Sequence, residues 1–159
     1  MKNKPTVIDL FCGCGGLSYG FIEAGYDVLL GIDHWKDAIT TFEHTHKSAK
    51  GIVADLFTET PKEISKKTEI KNIDVIIGGP PCQGFSIAGK RIIDDERNHL
   101  YKSFVSFVKF YQPKVFLMEN VPNIVSMGKG VVKDSIIEDF EKLGYTVVYK
   151  VLLASDFGV

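Results

Sequence analysis

The sequence predicts a doubly wound α/β fold with a mostly parallel sheet. Three observations predict it. The strand candidates are almost continuously apolar, they alternate with segments of helical period, and the chemically suggestive residues collect where strands end. "TVIDLF" (6–11) is the first strand. Leu17, Phe21 and Ala24 then fall at helical spacing, and Gly25 stops that helix. "DVLLGID" (27–33) is the second strand, followed by a helix over 35–46 with Ala38, Ile39 and Phe42 inward. "GIVADL" (51–56) is a short third strand, and Pro61 opens a weaker helix as its first residue. "IDVIIGG" (73–79) is the fourth strand. From Asn98 an amphipathic helix carries Leu100, Phe104, Phe107, Val108 and Tyr111 on one stripe and ends before Pro113. "KVFLME" (114–119) is the fifth strand. Ile136, Ile137, Phe140 and Leu143 mark a helix closed by Gly144, and "YTVVYKVLL" (145–153) reads as a sixth strand.

The 159 residues fit one domain with a sizeable core, and a 45% hydrophobic content places it among globular chains. A net charge of −1 does not predict a broadly basic surface, although a local one is compatible with it. Three cysteines (Cys12, Cys14 and Cys82) form no framework, which argues against a disulfide scaffold and for a reducing compartment. Cys12-x-Cys14 has the wrong spacing for a zinc knuckle, and the four histidines show no ligand spacing, so no metal is expected. The N-terminus lacks a signal peptide's apolar region. No apolar run approaches the roughly 18 residues a membrane-crossing helix needs, so the expected location is cytoplasmic.

Ligands of such sheets bind beyond the carboxyl ends of the strands. Asp9, Gly13, Gly15 and Gly16 follow the first strand, Asp33 the second, Asp55 the third, Pro80 to Cys82 the fourth, and Glu119-Asn120 the fifth. Gly13, Gly15 and Gly16 permit a tight turn and close backbone approach to a ligand, but they do not make the dinucleotide fingerprint G-x-G-x-x-G, because position 18 is Ser. A tight strand–helix turn alone also explains them. Asp33, about 20 residues on, suits ribose hydroxyls, and Asp55 suits an adenine amine. Together they favour a nucleoside-containing cofactor. Trp35 reads either as core or as a neighbour of the adenine. Cys82 lies beyond its strand behind Pro80-Pro81, which stiffen the backbone that presents the thiol. Glu119, on the same rim, completes a nucleophile–acid pair. The stretch 87–98 reads as a solvated surface loop.

These residues resemble the cytosine-C5 methyltransferases. "DLFCGCGGLSYGF" resembles the family's first motif, "GGPPCQGFS" its P-C-Q nucleophile motif and "MENV" (118–121) its E-N-V motif. "DDERNHL" (94–100) resembles the end of its mobile catalytic loop, and "LLASDFGV" the approach to its Q-x-R-x-R motif. The resemblance implies a Rossmann-like S-adenosylmethionine-dependent fold and methylation of C5 in a flipped cytosine of double-stranded DNA through a Cys82–C6 adduct, in a bacterial restriction–modification system. Glu119 is implied at N3 of the base. Cofactor contacts are implied for Asp9, Phe11, Gly13, Gly15, Gly16, Asp33, Asp55, Pro81 and Leu100. Asp33 stands where the family often has Glu. Gln83, Ser86, Lys90, Arg91 and Arg97 are implied as loop or DNA contacts, and Asn120 as a residue that orients the Cys82 loop. For 87–98 the resemblance implies a lid closing on DNA instead of a solvated loop.

In the family a Q-x-R-x-R motif, a target-recognition region and a closing helix follow. The sequence ends at Val159, before them. Residues 1–159 are therefore expected to be a cofactor-binding and catalytic domain incomplete at its C-terminus, without its antiparallel last strand, and inactive without a C-terminal complement. That complement would be the rest of the chain or a second polypeptide. Two other readings stay open: a tRNA cytosine-C5 methyltransferase, and a non-catalytic S-adenosylmethionine-binding subunit. A nicotinamide dehydrogenase is disfavoured by the broken fingerprint and by Cys82.

Overall fold

The computed structural model describes residues 4–81 and 99–158. Among these, five strands form one sheet: β1 (Thr6–Leu10), β2 (Asp27–Asp33), β3 (Lys50–Val53), β4 (Val75–Gly78) and β5 (Val115–Met118). Every pairing is parallel and the order is β3-β2-β1-β4-β5. The strand order reverses between β1 and β4, so the crevice that binds ligands in such sheets lies at the carboxyl ends of these two strands. They approach closely there. Leu10 pairs with Gly78, and a Cβ on Gly78 would lie 2.1 Å from the Leu10 carbonyl oxygen.

The helices are α1 (Gly16–Glu23), α2 (Lys36–Thr45), α3 (Pro61–Thr68), α4 (His99–Tyr111), α5 (Asn123–Ser126) and α6 (Val131–Glu141). They cover both faces, as the apolar strands require. Alternate strand residues point to opposite sides. Ile8, Leu10, Leu30, Ile32 and Ile76 pack with Ile64 of α3, Phe104 and Phe107 of α4 and Phe140 of α6. Val7, Val28, Val75 and Ile77 pack with Ile39 and Phe42 of α2 and with Leu17 and Phe21 of α1. Thr60 and Glu63 cap α3 reciprocally, and Pro61 takes its first position.

Three elements differ from expectation. The third strand ends at Val53 rather than residue 56, because Asp55 turns the chain: its Oδ1 accepts from Phe57 N at 2.9 Å and its carbonyl from Thr58 N at 3.0 Å. Ala54 and Leu56 still reach the core. The short α5 follows the β5 rim unannounced by any apolar stripe. The largest difference is 145–153, which is not a strand. Tyr145 anchors its start by donating to the Pro113 carbonyl at 2.7 Å, yet Val148 is 89% exposed. A strand exists only as half of a ladder, and among the described residues none joins this segment to β5. The outward Val115 and Leu117 of β5 stay exposed.

Candidate functional site

The first wall of the crevice is the turn from β1 into α1. Phe11, Gly13 and Gly15 all have left-handed backbone, with φ of 58°, 53° and 91°. Glycine takes this conformation freely, while Phe11 pays steric strain for it, as residues at ligand sites often do. The Gly13 N–H donates to Asp33 Oδ2 at 2.9 Å, and Trp35 N donates to Asp33 Oδ1 at 2.9 Å. Asp33 thus ties the end of β2 to the glycine turn. A Cβ at Gly13 or Gly16 would meet nothing within 4 Å, so the backbone there is open to a ligand. Gly15 caps α1 without a side-chain bond, and a helix N-terminus favours an incoming polar group. Trp35 is 60% exposed, which rules out the core alternative. It stands on the same rim as Asp33 and the exposed Asp55, and this edge suits a nucleoside-containing ligand.

Asp9 lies beneath the turn, 1% exposed. Ser18 Oγ donates to its Oδ2 at 2.6 Å, and Oδ1 has no hydrogen-bond partner among the described residues. Burial pushes the Asp9 carboxyl up to about 6; the Ser18 bond opposes this and the charge of Asp33 adds a smaller push. The raised value means that the folded state holds this proton more tightly than the unfolded chain. The resulting stabilisation is complete at low pH and is lost as pH climbs from the ordinary carboxylate range towards 6. We therefore expect Asp9→Asn to melt increasingly above the wild type as pH rises from 4 to 7, by calorimetry of the full-length protein. A pH-independent difference would contradict this account. Sequence reasoning singled out Ser18 only as the residue that breaks a dinucleotide fingerprint. Its bond to Asp9 depends on the turn's three-dimensional path.

The opposite wall joins the ends of β4 and β5. Glu119 N donates to the Gly78 carbonyl at 2.9 Å, and a Cβ on Gly79 would lie 3.0 Å from Glu119 Oε2. Glycine at 79 thus leaves space for the carboxylate. Asn120 Nδ2 donates to the Pro80 carbonyl at 2.8 Å, and its Oδ1 accepts from Val121 N at 3.0 Å. With both ends of its amide engaged, Asn120 holds the backbone two residues before Cys82. For the methyl transfer that the sequence resemblance implies, replacement by Ala in the full-length protein is expected to lower the rate about tenfold while leaving S-adenosylmethionine affinity unchanged, measured by steady-state kinetics and calorimetry.

Pro81 is half-buried and follows directly, and half-buried Leu100 lies in the first turn of α4. Cys82, Gln83, Ser86, Lys90, Arg91 and Arg97 lie outside the described residues. Of the other cysteines, Cys14 is exposed and Cys12 is buried. Burial, with the nearby Asp9 and Asp33 charges, pushes the Cys12 thiol well above its ordinary value and holds it protonated. The geometry thus brings Gly13 to Asp33, Ser18 to Asp9, Pro80 to Asn120 and Gly79 to Glu119, around one crevice.

Residues 5–159 match the family model of C-5 cytosine-specific DNA methylase. The chain is 46% identical over 157 residues to the type II methyltransferase M.DdeI of Desulfomicrobium norvegicum, covering 97% of this chain and 37% of that protein. It is 45% identical over 157 residues to the type II methyltransferase M1.HphI of Haemophilus parahaemolyticus, covering 97% and 42%. The chain thus spans about two fifths of the length of these relatives. Among solved structures, a protein described as a prophage-encoded DNA modification methyltransferase of E. coli superposes with a TM-score of 0.72 at 36% identity, over 87% of this chain and 38% of that one. Spodoptera frugiperda DNMT2 shares the fold, with a TM-score of 0.65 at 23% identity over 88% of this chain and 41% of its own.

Proposed function

The chain belongs to the C-5 cytosine-specific DNA methylase family, and on that premise we propose that the protein carrying it methylates C5 of cytosine in double-stranded DNA, as part of a restriction–modification system. The observation that carries this reading is the junction of the β4 and β5 ends. There Glu119 and Asn120 meet the Gly79-Pro80 backbone that leads into Cys82, across the crevice from the glycine turn. S-adenosylmethionine, in this reading, supplies a methyl group bound to a sulfonium. The open backbone at Gly13 and Gly16 suits its binding, with Asp33 and Asp55 for its ribose and adenine and Phe11, Pro81 and Leu100 around it.

The pyrimidine C5 is too weak a nucleophile to take a methyl group unaided. The Cys82 thiolate adds to C6, forming a sulfur–carbon bond, and the C5–C6 π pair becomes available at C5. Glu119 donates a hydrogen bond or a proton to N3 and offsets the negative charge that builds on the ring. The C5 pair would form the new bond to the methyl carbon as the methyl–sulfonium bond breaks, its electrons staying on sulfur as a neutral thioether, and a base then removes the C5 proton. The released pair re-forms the C5–C6 double bond, and Cys82 leaves as thiolate. The cytosine must leave the duplex stack for this attack, and Gln83, Ser86, Lys90, Arg91 and Arg97 are suited to holding the loop and the phosphates.

The test is methyl incorporation from labelled S-adenosylmethionine by the full-length protein, with duplex DNA and tRNA side by side. We expect 5-methylcytosine in the DNA digest. Label in tRNA alone would move the substrate, and label in neither would contradict the activity.

A further inference from the structure

We propose that His46 is a positioning residue for the glycine turn, a buried imidazole that fixes the cofactor-facing path of Cys12–Gly16 from below. His46 follows α2 and is 3% exposed. Its ring stacks on Phe42 with centroids 4.4 Å apart and planes 11° apart, and it meets the Tyr19 ring edge-on at 6.5 Å. Nδ1 lies 3.0 Å from the Phe42 carbonyl oxygen and 2.8 Å from Thr45 Oγ1. With Nδ1 protonated the ring donates to the Phe42 carbonyl, and in the other tautomer Nδ1 accepts from the Thr45 hydroxyl. Either bond holds the ring over Phe42. Nε2 is left buried with no partner among the described residues, a cost that an apolar side chain would avoid.

The imidazole occupies the space where residue 15 would place a side chain. A Cβ on Gly15 would lie 2.2 Å from His46 Cε1, 2.9 Å from Nδ1 and 2.7 Å from Phe42 Cδ2. Phe42 cannot retreat, because it is fully buried and rests on Gly31 of β2, whose own added Cβ would stand 2.5 Å from the Phe42 ring. A rigid stack therefore runs from β2 through Phe42 and His46 to Gly15. Two residues beyond Gly31, Asp33 holds Gly13 by its N–H. The turn is thus drawn towards β2 at Gly13 and propped at Gly15, with both supports rooted in the same strand. Gly15 is required twice, by its φ of 91° and by the ring beneath it.

The functional part of this inference rests on S-adenosylmethionine binding at the turn, and the experiment separates the two. In the full-length protein without cofactor, His46→Ala is expected to raise amide hydrogen exchange across 13–17 about tenfold or more and to leave β4 amides unchanged. Calorimetry should show S-adenosylmethionine affinity falling by about tenfold or more, with KM for the cofactor rising and KM for DNA unchanged. Gly15→Ala should bind weakly, and Gly15→Ala combined with His46→Ala should recover part of that loss, because the imidazole no longer blocks the methyl group and no longer pins the stacked Phe42 ring from its other side. Unchanged exchange at 13–17, unchanged affinity in His46→Ala, or a double variant no better than Gly15→Ala would overturn the role of His46. A lowered melting temperature with unaltered exchange and affinity would reduce the ring to ordinary packing and would overturn it too. If the wild type binds no S-adenosylmethionine, the functional reading falls, while exchange at the turn still decides for or against His46.

Discussion

Cys82→Ser is expected to lower methyl transfer about 10³-fold or more while leaving S-adenosylmethionine affinity unchanged. The substitution keeps the size of the side chain and removes its nucleophilicity. A thiol with an ordinary value near about 8.5 is a few per cent ionised at neutral pH, and a serine hydroxyl without a base is effectively un-ionised. In the proposed mechanism, without addition at C6 no electron pair becomes available at C5, and every later step fails with it. The other two cysteines cannot substitute. Cys12 is buried and held protonated, and exposed Cys14 stands on the glycine turn, off the rim where Glu119 meets Gly79. Single-turnover methylation with calorimetry separates loss of chemistry from loss of binding. Activity within tenfold of wild type would remove Cys82 from the mechanism.

Glu119→Gln is expected to lower the catalytic rate about 10²-fold or more with cofactor affinity unchanged. Gln keeps the volume beside Gly79, and the backbone bond from residue 119 to the Gly78 carbonyl does not involve the side chain. The variant should therefore fold with the junction of β4 and β5 intact. In the proposed mechanism it would lose the ability to deliver a proton to N3 and to answer the charge that the thiolate places on the ring. The effect belongs in kcat, because the demand on Glu119 grows during the reaction rather than on binding. An unchanged rate, or a loss confined to KM for the cofactor, would contradict the role assigned to Glu119.

Much of the fold and half of the crevice were legible in the sequence because they depend on local signals. Apolar runs such as "VIIGG" declare buried parallel strands, and the stripe through Phe104, Phe107 and Tyr111 declares a helix face. Asp33, Asp55 and Glu119 stand out in the sequence by their places at or just beyond strand ends. The segment 145–153 misled for a physical reason. "TVVYKVLL" has the composition of a strand, yet pairing depends on a neighbour, and composition does not supply one. The left-handed backbone at Phe11 left no mark in residue type, since glycine is the ordinary signal for it. His46 looked like one of four histidines without ligand spacing. Its burial follows from how α2 lies on β2, which the one-dimensional pattern does not encode. Gly15 was legible as a turn residue, but the ring that forbids any other side chain there was not.

The proposed mechanism requires a covalent bond between Cys82 and the substrate ring, and such a bond is trappable. Duplex DNA containing 5-fluorocytosine in place of the target cytosine accepts thiolate and methyl, but it has no C5 proton for a base to remove, so the enzyme cannot leave. Incubating the full-length protein with this DNA and S-adenosylmethionine, then mapping the modified peptide by mass spectrometry, is the most direct test. A stable complex that depends on S-adenosylmethionine is expected, with the nucleotide attached at Cys82 and no complex in Cys82→Ser. Attachment at Cys14, or methylation of ordinary cytosine DNA without a trappable complex, would contradict it.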